Sequence, residues 1–218
     1  MIIQGKELPV FIKYKNNKHT YFKIQHDGLH IHASHGMPEH LINTHVKSNF
    51  ELFYKKYLQF RQQEKEFTLW GIPYEIHFEK GNSQYVISDH TIHVTHETLR
   101  DGILFLLKEE MLKHLKSIEQ EVITHLKSFN IKTRKYILKY YKSKFGAYHK
   151  LQDTIYLNTF LATLDIKFLH YVLMHEYAHT IHFHHQKSFY ELLEQLHPNY
   201  RDIEKSLKSL VIPSDFHV

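Results

Sequence analysis

The chain has 218 residues, with 28 Lys and Arg against 23 Asp and Glu, a formal charge of +5, 22 His and no Cys. Lack of cysteine excludes disulfides, iron–sulfur clusters and thiol nucleophiles, so any metal site must draw on His, Asp and Glu. A hydrophobic content of 42% with seven Gly and five Pro excludes disordered, collagenous and low-complexity chains.

The first third reads as strands. Residues 8–14 precede an Asn16-Asn17 turn, 20–25 alternate, and Asp27-Gly28 is a hairpin signal leading into 29–33. Pro38 opens a helical stretch through Val46, Phe50, Tyr54 and Leu58. Residues 68–79 and 84–95 read as strands around a Gly81-Asn82 turn, and 97–128 as one long amphipathic helix ending near Asn130. Strand character returns at 134–142 and 154–158, with 145–153 read as a loop. Asp165 is the expected N-cap of a helix over 166–183, followed by helices over 187–196 and 200–210. No sequence repeat is visible. The opening MIIQGKELPV carries no signal-peptide pattern and no apolar run is long enough for a bilayer, so a soluble, cytoplasmic protein is expected.

Residues 175–179 read His-Glu-Tyr-Ala-His, an H-E-x-x-H pattern. Positions i and i+4 on a helix differ by about 40° and rise about 6 Å, so both imidazoles can share one ion. Glu176 lies beside that face, placed to take a proton from a metal-activated water without ligating the metal. With His this abundant, the bare pattern would arise by chance in roughly one chain in six. Context strengthens it: Phe168, Leu169, Val172, Leu173, Ala178 and Ile181 give the segment a helical apolar face. Candidate third ligands follow at His182, His184 and His185. His182 lies about 10 Å further along the axis than His175, too far to share its ion. Spacing leaves His184 and His185 open.

The stretch 175–190, ending in His185-Gln-Lys-Ser-Phe189-Tyr190, resembles the YgjP-like metallopeptidases, relatives of the SprT-like zinc proteases. Lys144-Phe145-Gly146-Ala147-Tyr148 resembles their R-W-G-S-C segment, with Phe, Ala and Tyr in place of Trp, Ser and Cys. Ile155-Tyr156-Leu157-Asn158 resembles their I-x-L-N strand, and 197–201 their Pro-x-aromatic-basic segment. The resemblance implies that His185 is the third ligand and Zn²⁺ the metal. It further implies that 154–158 is a substrate-aligning edge strand, with Tyr156, Asn158 and Tyr148 at the substrate. Tyr148, His149, Tyr190 and Tyr200 are candidates to stabilise an oxyanion.

The expected fold is α+β: an N-terminal β-rich part with helices, 1–130, packed on a C-terminal zincin-like core, 131–218, of antiparallel strands and a metal-binding helix. The expected function is a zinc-dependent hydrolase, most simply a metallopeptidase acting on peptide or protein. Residues 131–150 hold seven Lys and Arg and no acid. They motivate an alternative, a basic protein binding DNA or acidic proteins around a structural metal site.

Overall fold

The computed structural model describes residues 1–3, 5–25, 27–63 and 67–213. The fold is α+β and divides into two compact units, Met1–Glu66 with Pro213–Val218, and Phe67–Ile212.

In the first unit a two-residue ladder joins β1 (Ile2–Ile3) to β2 (Lys6–Glu7), and a three-stranded sheet follows. Its strands are β3 (Val10–Lys15), β4 (Tyr21–Gln25) and β5 (Gly28–Ser34), in the order β3-β5-β4. The β4–β5 hairpin forms at the Asp27-Gly28 signal. On β5, Leu29, Ile31 and Ala33 are buried, while His30 and His32 take the other face by simple alternation. The single helix expected after Pro38 is instead α1 (Glu39–Ser48) and α2 (Phe50–Gln63). Asn49 between them lies at φ −112° and ψ 15°, and its side-chain amide donates to the His45 carbonyl at 2.9 Å. The same carbonyl also accepts the Asn49 backbone N–H at 3.1 Å, so Asn49 closes α1 as its C-cap before α2 begins.

The second unit begins with β6 (Phe67–Leu69), β7 (Ile72–Lys80), β8 (Gln84–Ser88) and β9 (Thr91–His96), in the order β6-β7-β9-β8. The long helix expected over 97–128 is α3 (Leu99–Ser117) and α4 (Glu119–Ser128), broken at Ile118, which lies at φ −99° and ψ 1°. The expected stop near Asn130 is also present. Asn130 adopts φ +58°, and the Ile131 N–H closes back onto the Leu126 carbonyl at 3.0 Å, capping α4. Ile103, Leu106, Leu107 and Met111 of α3 are fully buried.

Three more strands form the sheet that carries the site: β10 (Lys135–Lys139), β11 (Gly146–His149) and β12 (Thr154–Asn158), in the order β10-β12-β11. Three expectations are corrected here. The sheet is mixed rather than antiparallel, because β10 runs parallel to β12. Residues 146–149 are a strand rather than loop, because they pair with 154–157 across a tight turn closed by Asp153 at φ +47°. And β12 is the centre of its sheet, paired on both sides, so it has no edge to offer a substrate; β11 is at the edge. Helices α5 (Ile166–His179), α6 (Lys187–Leu196) and α7 (Tyr200–Ser209) complete the unit. Asp165 caps α5 as expected, accepting from the Lys167 N–H at 3.0 Å. The helix stops at His179, short of 183, because the Thr180 hydroxyl and the Ile181 and His182 amides turn back onto the 177–178 carbonyls.

One arrangement recurs three times among the described residues. In β3-β5-β4, β7-β9-β8 and β10-β12-β11, the last strand in sequence inserts between the first two, parallel to one and antiparallel to the other. A helix follows each time. The repeat is one of topology and is invisible in residue spacing.

Candidate metal centre

One nitrogen from each of His175, His179 and His185 falls within 4.8 Å of the others. His175 Nε2 and His185 Nε2 are 3.1 Å apart, close to the roughly 3.3 Å edge of a tetrahedron with ~2.0 Å metal–nitrogen bonds. The first two imidazoles stand one above the other on α5, and the early end of that helix lets the chain bring His185 across. Phe189, fully buried on α6, packs against all three rings at centroid distances of 5.0, 4.6 and 4.7 Å. His179 Nδ1 lies 3.1 Å from the His182 carbonyl. A carbonyl only accepts, so Nδ1 carries the proton and Nε2 keeps its lone pair for a metal. Burial and the two neighbouring imidazoles push His175 down to about 3, keeping it neutral and ready to ligate. This neutral three-nitrogen set with one side open fits a divalent transition ion.

Glu176 is 5% exposed, and burial pushes its carboxyl up from 4.5 to about 7, against the Tyr148 N–H bond and the Lys144 charge. It lines a cleft of about 310 Å³ with Gly146, His175, His185 and Tyr190, walled on the far side by Glu204 and Lys208 of α7. A Cβ at Gly146 would lie 2.7 Å from Glu176 Oε1 and 2.8 Å from Val172 Cγ1. Gly146→Ala is therefore expected to displace the carboxylate and cut turnover by roughly 10- to 100-fold, with metal affinity unchanged. Turnover kinetics alongside a metal titration check this, and unchanged turnover would count against a fixed carboxylate position.

The two titrating groups pull the metal-free protein in opposite directions. His175, depressed when folded, costs stability as pH falls from 6.5 towards 3, where the unfolded chain binds the extra proton. Glu176, raised when folded, costs stability as pH climbs from 4.5 to about 7, where the folded chain binds the extra proton. Above pH 7 the Glu176 cost is complete, on the order of 3 kcal/mol. Metal-free Glu176→Gln is expected to be more stable than the parent at pH 8 and to lose that advantage near pH 4.5. Urea unfolding at the two pH values measures it.

The structure brings His175, Glu176, His179 and His185 together. His184 stays exposed, and His182 contributes its carbonyl rather than its ring. Tyr148 meets Glu176 through its backbone N–H, while its hydroxyl donates to Asp153 at 2.6 Å. Tyr156 and Asn158 do not line the cleft. The Tyr156 hydroxyl is taken by Gln152. Asn158 is fully buried, donates to the Tyr141 and Lys144 carbonyls at 2.7 Å each, and so braces the segment before β11. Of the four oxyanion candidates, Tyr190 lines the cleft. In the basic run, Arg134 is bound to Asp153, Lys144 sits 4.6 Å over Tyr141 and Lys150 4.0 Å over Phe183. Sequence reasoning missed Tyr171 and Glu204 beside His175; the i,i+4 spacing of Tyr171 and His175 was the available signal.

Donors converging on one point beside a buried base, at the foot of a cleft with an edge strand, are the working parts of a metallopeptidase. The chain matches the YgjP-like, metallopeptidase domain over residues 18–210 and belongs to that family. It is also similar to a solved structure, the metallopeptidase zymogen of Methanocaldococcus jannaschii jannalysin. The two are 26% identical over 42% of this chain and 91% of that chain, with a TM-score of 0.35. No curated protein matches it. No helix among the described residues is long and apolar enough to cross a membrane.

Proposed function

We propose that the protein is a zinc-dependent peptidase with Glu176 as general base, working on peptides or proteins in the cytoplasm. The supporting observation is the convergence of His175, His179 and His185 beside a carboxylate that burial holds near neutrality. When bound, zinc would polarise the scissile carbonyl and acidify water. Glu176 takes a proton from the attacking water and returns it to the leaving amine. Tyr190, on the cleft wall and stacked with His185 at 6.1 Å, offers its hydroxyl to the developing oxyanion. The substrate backbone lies along β11, the edge strand whose Tyr148 N–H also steadies Glu176.

Zinc-loaded protein is expected to cleave a fluorogenic peptide library, to stop after chelation, and to resume when zinc is added back. Cleavage that persists in the metal-free protein would sink the reading.

A further inference from the structure

Each imidazole of the centre is held by a different device. His179 has the His182 carbonyl, and His185 packs against the adjoining rings of Phe189 and Tyr190. His175 has Tyr171, one turn earlier on α5, whose hydroxyl lies 3.4 Å from His175 Nδ1. Tyr171 is 3% exposed, and its ring cannot swing away. It stacks on Tyr200 of α7 at 6.4 Å and 7°, and meets His197 edge-on at 6.1 Å. Glu204, one turn along α7 from Tyr200, lies next to that hydroxyl on the wall of the same cleft. Lys208 in turn holds Glu204 at 2.9 Å.

The direction of these contacts follows from their ends. A carboxylate only accepts, so Glu204 beside the hydroxyl draws the Tyr171 proton towards α7 and leaves an oxygen lone pair facing His175. His175 then carries its proton on Nδ1 and offers Nε2 on the side where His185 Nε2 stands. We propose that Tyr171 is the positioning residue of His175, set by Glu204, so that the last helix is part of the metal centre. The inference rests on the metallopeptidase reading and adds a residue pair to it. Partners of this kind contribute roughly 10- to 100-fold to metal affinity.

The test measures zinc affinity by chelator competition in the wild type, Tyr171→Phe, Glu204→Gln and the double variant, with visible spectra of the cobalt-substituted forms. Phe keeps the stacked ring and removes only the hydroxyl; the Glu204 substitution reaches the same bond from another helix. Each single variant is expected to weaken zinc binding about 10-fold or more and to shift the cobalt bands. The double variant should be no weaker than Tyr171→Phe alone, since both changes break one chain. Affinity within twofold of wild type in both single variants, or losses that multiply in the double variant, would overturn the proposal. A wild-type protein that takes up no zinc would overturn the underlying metal reading instead, and this inference with it.

Discussion

Glu176→Gln is expected to lower kcat/KM for peptide hydrolysis by about 10³-fold while the protein binds metal as before. The substitution keeps shape and volume in a site only 5% exposed and touches none of the three nitrogen donors. What it removes is the proton acceptor. An ordinary carboxylate is a weak base at neutral pH; burial makes Glu176 a stronger one, lifting its carboxyl to about 7 in the metal-free site. The same burial makes the charged form costly, so the metal-free variant should be stabler above pH 7 while the loaded one is inactive. Peptide kinetics, elemental analysis and unfolding on one preparation read all three properties. Full activity with normal metal content would remove Glu176 from the chemistry.

His185→Ala is expected to abolish near-stoichiometric metal binding, and His184→Ala to leave it intact. The two residues are neighbours in sequence and both exposed, yet only His185 brings its ring against His175 and His179, at 5.1 and 4.7 Å. Losing a ligand should cost more than the roughly 100-fold that loss of an outer hydrogen bond can cost. Elemental analysis of the two variants decides between them. Metal lost in His184→Ala and kept in His185→Ala would reassign the third ligand.

The centre of the site was legible in sequence because helical spacing is rigid. His175, Glu176, His179 and the Asp165 cap are all local, and local geometry follows from residue order. The third ligand lies beyond the end of the helix, where spacing fixes no direction, and only the likeness of 175–190 to a family pattern favoured His185. Strand β11 was not legible: Gly-Ala-Tyr-His shows no apolar alternation, and its pairing depends on β12 rather than on its own composition. The edge role of β12 came from the resemblance, and pairing with β10 on one side and β11 on the other removes it. Tyr171 and Glu204 meet only because α5 and α7 pack together, and no pattern within either helix announces it.

The insertion of each third strand between the first two also sets an order of events during synthesis. When β10 and β11 have emerged, neither has its sheet partner; both wait for β12. As Asn158 leaves the ribosome, three strands can close together, and the metal-binding helix is the next long element to emerge. A nascent chain halted before β12 would expose unpaired backbone on two strands at once, a hazard for aggregation. One halted after it already has the platform on which that helix folds. The recurrent topology among the described residues thus divides emergence of the chain into three rounds, each sheet able to close before the helix that covers it has emerged.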